Sequence, residues 1–424
     1  MKPYPFKYII YTAAVILTAC SSNNSESVAE VDAAYSEVSR PAAGYWRGVL
    51  ELSDTVTREL PFQFVMDGTG NDQTMVIQNA GEAIVLNKIV EKNDNLEIVW
   101  PVFESGFVVS TSDSTMSGYW YDLSRGTDYK IPFNAQLGST MRFPISGQPA
   151  ERLSGKWRTH FGNDEANALG IFNMNQHVVM GSFATETGDY RYLEGVVVGN
   201  QFKLSTLDGA HAFLFEGTID GDSLWGTFYS GDHYSEPFYA VLDDGFTLRD
   251  ANELTFLKEG YESISFAFPS VNGDTVRLSD PEFEHKAVIV QLFGSWCPNC
   301  MDETKYLVDL YEEEYNNGLR VVGLGFERHS DYERASRAVI KMRQDLLIPY
   351  PLLIAGRASK TEAAEKLPML NHIMSFPTAI VLDRNHNVVG IHTGFYGPGT
   401  GTYYKEFKKE FEEMVDKALA RRPI

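Results

Sequence analysis

The 424 residues read as a multidomain chain in which an N-terminal all-β region, a sandwich or a barrel, precedes a C-terminal α/β domain. Three observations carry that reading. Short runs rich in Val, Phe, Tyr, Ile and Thr, broken by Gly, Asn and Asp, fill the stretch from about residue 44 to residue 247. A nearly continuous apolar run, Val288-Ile289-Val290-Gln291-Leu292-Phe293, then marks a strand covered on both faces. Beyond it, helical and strand periodicities alternate to the C-terminus.

The chain opens on MKPYPFKYIIYTAAVILTAC, a lysine-bearing start and an apolar run too short to span a bilayer comfortably. That layout is a secretory signal over residues 1–19. Leu17-Thr18-Ala19-Cys20 resembles the bacterial lipoprotein processing box, which implies cleavage before Cys20 and lipid attachment at that cysteine. The alternative is a short buried helix that ends in a cysteine. The polar run Ser21-Ser22-Asn23-Asn24-Ser25-Glu26-Ser27 favours the anchor, because it reads as a tether, and residues 20–41 are expected to be a flexible linker. The expected location is the cell envelope of a Gram-negative-type bacterium, with the protein lipid-anchored and facing the periplasm.

A formal charge of -21 leaves no basic excess to neutralise phosphates, so general nucleic-acid binding is excluded. The first folded unit should begin near Gly44-Tyr45-Trp46 and divide into β-rich subdomains over 42–150 and 151–247. GYWRGVLEL near residue 44 is echoed by GKWRTHF near residue 155, and MSGYWYD at 116–122 by LWGTFYSG at 224–231, so a duplication is open. Trp46, Trp100, Trp120, Trp157 and Trp225 are expected in the core rather than on a binding surface. His160, His177, His211 and His233 show no metal or hydrolase spacing. Whether this half binds a partner or only spaces the second half from the membrane is open.

An acidic, turn-rich linker around Asp243-Asp244-Gly245 precedes the α/β domain, placed at 258–424. After the apolar strand, residues 301–316 read as a helix ending before Asn317-Gly318, 319–324 as a strand, and 331–346 as a polar-faced helix. Thr378 to Leu382 forms a strand, Asp383 to His386 a turn, and Val388 to His392 a paired strand. A last helix over about 403–419 lines up Phe407, Phe411, Val415 and Leu419. The basic set Arg328, Arg334, Arg337, Lys341 and Arg343 reads as the wet face of a helix.

The chain has three cysteines, Cys20, Cys297 and Cys300. Cys297-Pro298-Asn299-Cys300 puts two sulfurs three positions apart where a buried strand meets a helix, a spacing that permits reversible closure into a small ring. Unpaired backbone N–H groups and the helix dipole favour thiolate at Cys297, the expected exposed nucleophile, with Cys300 resolving the mixed disulfide. A zinc half-site would need two further ligands, and His329, His372 and His386 stand in no recognisable ligand spacing. An inert structural disulfide would restrain little of the unfolded chain.

VIVQLFGSWCPNC followed by a helix resembles the active-site segment of the thioredoxin superfamily, especially its extracytoplasmic TlpA-like and ResA-like members. The resemblance covers roughly residues 260–420. Ser375-Phe376-Pro377-Thr378 before AIVLD is similar to the family's cis-proline segment. It implies that Pro377 faces the disulfide, and that Trp296, Pro298, Phe376 and Thr378 contact substrate, with Phe376 to Thr378 pairing an extended chain. Gln291 departs from thioredoxins themselves, which place a buried aspartate there. Glu303 stands where ResA-like proteins carry a glutamate, three residues after the second cysteine, which implies help with proton transfer. Its alternative is a solvated first-turn glutamate. Glu327, at the end of GLGFE, reads as a solvated strand end, with a place near the active-site end of the sheet as the alternative, and residues 328–358 read as an insert typical of the TlpA-like group.

The implied activity is thiol-disulfide exchange, in the direction of reducing exported proteins, with cytochrome maturation or repair of misoxidised cysteines as uses. The implied partners are exported protein disulfides and a membrane-bound thiol electron donor. No cofactor is required, since the cysteines carry the redox chemistry. Oxidase or isomerase action by the same pair is an alternative, as is a binding lipoprotein with a redox-sensing second half.

Overall fold

The computed structural model describes residues 39–52, 58–162 and 165–421; the leader and Cys20 lie outside them. Two antiparallel meanders, barrels rather than a sandwich, form the β-rich region. The first runs through nine strands from Gly44–Leu52 to Lys130–Leu137, with its first strand also paired to its last. It stays open between Glu82–Leu86 and Lys88–Lys92, the two edges of the sheet. The second runs from Gly155–Phe161 to Tyr234–Leu242 and closes fully into eight long strands, each bonded to the next and the last to the first. Closure removes the exposed edges that a long sheet would otherwise present.

The sequence echoes fall at corresponding places. Trp46 and Trp157 each sit on an opening strand, fully buried, opposite Leu137 and Leu242 of the closing strand. The later pair of motifs forms the penultimate strands, Thr115–Asp122 and Ser223–Ser230. Trp100 and Trp120 are also core, whereas Trp225 is 46% exposed, on the outer side of its strand, and departs from the core expectation. The strand period of two decides this: Leu224 fills the interior, so its neighbour must face out.

The α/β domain has a five-stranded mixed sheet in the order Leu352–Arg357, Leu319–Glu327, Ala287–Phe293, Thr378–Leu382 and Val388–Thr393, in which Thr378–Leu382 alone runs antiparallel to the other four. Every residue of the central strand Ala287–Phe293 is buried. Ala287, Ile289 and Phe293 join an apolar cluster that continues into the first barrel, while Val288, Val290 and Leu292 join a second cluster on the opposite face. The stretch 328–358 read as an insert holds the helix Tyr332–Asp345 and the edge strand Leu352–Arg357, so it completes the sheet. The helix Thr402–Ala420 buries Phe407, Phe411, Val415 and Ala418. Among the described residues no helix is long and apolar enough to cross a membrane.

Candidate active site

The strand Ala287–Phe293 delivers the chain into the helix Pro298–Glu314, which begins at Cys297 as N-cap with Pro298 in its first turn. Cys297 and Cys300 are joined as a disulfide, and Cys297 Sγ also lies 3.1 Å from the backbone N–H of Cys300. That N–H donates to sulfur, the arrangement that would stabilise a thiolate. Cys297 retains 6% exposure and Cys300 none. The order of accessibility agrees with a first-cysteine nucleophile, but Cys297 is far less open than expected.

The enclosure comes from two loops. Phe376-Pro377, a cis peptide bond, brings the Phe376 carbonyl oxygen to 3.6 Å from Cys297 Sγ. Trp296 donates its indole N–H to the Phe326 carbonyl at 2.9 Å and meets Phe376 edge to face. Thr378 does not offer an edge. It is buried in a strand flanked on both sides, opposite Leu292 and Thr393, and the Pro377 carbonyl accepts from Gly394 N–H, so an incoming chain can reach Phe376 alone of this trio. Pro298 is buried, and its carbonyl accepts from Arg191.

The second loop belongs to the closed barrel, and no sequence signal pointed to it. Thr187 and Asp189 accept, through their carbonyls, from Ser375 Oγ at 2.8 Å and Asn299 Nδ2 at 3.2 Å. Asp189 Oδ2 takes the Gly397 N–H at 2.6 Å. Between them Gly188, at φ 144°, comes so close that a Cβ there would stand 2.0 Å from Asn299 Nδ2, so only glycine fits. These contacts join residues more than a hundred positions apart, which is why spacing could not show them.

Glu303 is fully buried, contrary to a solvated first-turn glutamate. One turn on from Cys300 it faces inward, where Gln291 Nε2 donates to Glu303 Oε2 at 2.8 Å and to Thr304 Oγ1 at 3.0 Å. Oε1 has no protein partner. Burial pushes the carboxyl up to about 8, against the opposing Gln291 hydrogen bond. Gln291 thus takes part in a buried polar network at the position where thioredoxins themselves carry an aspartate. Glu327 is likewise no solvated strand end: it is 1% exposed and accepts from Ser295 N–H at 2.9 Å and Ser295 Oγ at 2.6 Å. Burial raises it to about 7, with the Ser295 hydrogen bonds opposing.

The basic set is not one wet face. Arg334 and Arg337 are exposed, but Arg328 lies over the Trp296 ring at 4.8 Å and donates to Ser124 Oγ, while Lys341 donates to the Trp100 carbonyl. Both tie the α/β domain to the first barrel. His329 bonds Glu104, His386 bonds the Phe283 carbonyl, and His372 is exposed. Among the described residues no group of three or more His, Cys, Asp or Glu side chains is placed to hold a metal.

A model of the AhpC/TSA family matches residues 260–391. The chain is 25% identical over 150 residues to the thiol-disulfide oxidoreductase ResA of Bacillus thuringiensis subsp. konkukian, covering 34% of this chain and 76% of that protein. It is 27% identical over 146 residues to the thiol:disulfide interchange protein DsbE of Pseudomonas aeruginosa, covering 34% and 72%. A crystal structure of a thiol:disulfide interchange protein of the thioredoxin family from Chlorobium tepidum TLS is 22% identical, with a TM-score of 0.30, covering 38% of this chain and 99% of that one. Behind its N-terminal β-rich region, the chain carries a thioredoxin-superfamily domain, similar to DsbE and ResA, with the cysteine pair of a thiol-disulfide oxidoreductase.

Proposed function

We propose that the protein is an extracytoplasmic thiol-disulfide oxidoreductase that reduces disulfides of exported proteins through Cys297 and Cys300. The observation that carries this reading is the cysteine pair at a helix N-terminus beneath the Phe376-Pro377 loop, with a buried carboxyl one turn behind it. In the reduced protein the Cys297 thiolate attacks one sulfur of the substrate disulfide. A mixed disulfide forms, and the other substrate sulfur leaves as a thiolate that takes up a proton. Cys300 then gives up its proton and attacks Cys297 Sγ. The second substrate thiol departs, the Cys297–Cys300 bond closes, and two electrons have passed to the substrate. A membrane-bound thiol donor restores the dithiol.

The burial of Glu303 one turn after Cys300, with Gln291 and Thr304 around it, and its raised value near the ordinary thiol value of about 8.5 support a role in proton exchange with Cys300. Trp296 and Phe376 are the residues we take to meet substrate, the Phe376 carbonyl lying beside Cys297 Sγ. Pro298 presets the first turn of the helix.

The equilibrium potential of the Cys297–Cys300 pair tests the direction. A value near about -270 mV is expected for a reductase, and one near about -120 mV would make the protein an oxidant. The lipid anchor is tested separately: Cys20→Ser should move the protein from the membrane fraction to the soluble one, and unchanged fractionation would remove the lipoprotein reading.

A further inference from the structure

The closed barrel is docked with one mouth against the cysteine pair. That mouth is a cavity of about 710 Å³, floored by Phe161, Tyr190, Phe213 and Phe228 and walled on the other side by Asn299 and Met374. Its size falls in the range of about 300–1,000 Å³ usual for ligand pockets, and barrel mouths are a recurring place for them. Asn299 lies between the two cysteines, and Met374 lies two residues before Phe376, whose carbonyl reaches Cys297. Asn299 thus belongs at once to the cavity wall and to the helix start that carries the two sulfurs.

We infer that this mouth is a substrate pocket that takes an aromatic side chain of the polypeptide being reduced, a few residues from its disulfide. The inference rests on the reductase reading and names its substrate class. The floor is built from aromatic rings in edge-to-face contact: Phe213 and Phe228 stand 5.1 Å apart at 74°, and Tyr190 and Phe228 5.2 Å apart at 88°. Such a surface accepts another ring by the same geometry. Acidic side chains also line it, but Glu186 is ion-paired with Arg249, and Asp189 accepts from the backbone N–H groups of Arg191 and Gly397. An acidic residue at the same substrate position is disfavoured because the aromatic floor would strip water from its carboxylate without replacing the hydrogen bonds lost. An extended chain advances about 3.3 Å per residue, so a substrate residue a few positions from the disulfide is the one that can reach beyond Asn299. The barrel is thus part of the reaction surface, and the 187–189 loop, held on Asn299 and Ser375, fixes the pocket against the sulfurs.

The test measures second-order rates at which the reduced full chain reduces disulfide-linked peptides bearing Phe, Ser or Glu two or three residues from the cysteine. The Phe peptide should react at least about tenfold faster than the Ser peptide, and the Glu peptide slowest. Tyr190→Ser should bring the Phe/Ser ratio towards one. Tyr234→Ala, at a 49% exposed rim position, should lower it severalfold without loss of the fold. Equal rates for the three peptides, or a ratio unchanged in both variants, overturns the pocket and leaves the reductase reading standing. A chain that reduces none of the peptides, nor a small non-peptide disulfide, overturns that reading and this inference with it.

Discussion

Glu303→Gln is expected to stabilise the protein increasingly as pH rises, and to slow thiol exchange. The wild-type carboxyl is raised by burial from an ordinary 4.5 to about 8 in the folded chain. Below about pH 4.5 it is protonated in both folded and unfolded chains and costs nothing. Between about 4.5 and 8 the unfolded chain ionises it while the folded chain does not, so the unfolded state binds fewer protons and stability falls with rising pH. At about 1.4 kcal/mol per pKa unit, the loss by pH 8 to 9 is on the order of 3–5 kcal/mol. Glutamine keeps the volume and can still accept from Gln291 Nε2, so the variant lacks that slope. Denaturant midpoints at pH 5 and pH 8.5 should diverge, with the variant the more stable at the higher value. An unchanged difference would mean that Glu303 is not held neutral. The same substitution removes the proton acceptor proposed for Cys300, and on that proposal a fall in exchange rate on the order of 10² is expected. An unchanged rate and cysteine pKa would leave Glu303 only a structural role.

The parts of the site that lie close in sequence were legible in it. The buried strand reads from its apolar run, the cysteine pair and its helix start from spacing, and the proline loop from resemblance. The terminal helix reads from its phenylalanine stripe. What was not legible depends on burial by distant elements. Glu303 and Glu327 carry the composition of solvated positions, and only the packing of both sheet faces takes them out of water. The edge strand Leu352–Arg357 is short and follows a helix and a proline, so its stretch resembled an insert. Thr378 belonged to the expected substrate surface by position in the motif, yet its strand is internal, and a flanked strand cannot add another. Most of all, the barrel loop on Asn299 and Ser375 leaves no mark in local pattern.

Arg191→Met should cost about 3–5 kcal/mol of stability, the loss expected when one partner leaves a buried ion cluster. Arg191 is 1% exposed and ion-pairs with three carboxylates from three parts of the molecule. These are Glu82 on the first barrel, Asp208 in the second, and Asp302 on the active-site helix. Its guanidinium also donates to the Pro298 carbonyl at 3.4 Å. Burial opposes its charge, but Asp302, Glu82 and Asp208 outweigh that and hold it protonated. Methionine replaces the aliphatic stem and leaves the acids facing one another in a dry interior. They would then hold protons to a higher pH in the folded chain than in the unfolded one. The loss should therefore be small near pH 5 and grow towards pH 8, measured as the denaturant midpoint at each pH. Adding Glu82→Gln and Asp302→Asn removes the stranded charges and should recover most of the loss at pH 8. A loss equal at both pH values and unrelieved by those substitutions would reduce Arg191 to a packing residue. A loss that follows the predicted pattern would mean that one cation holds both barrels to the helix carrying Cys300, so that the geometry of the sulfurs depends on the β-rich half.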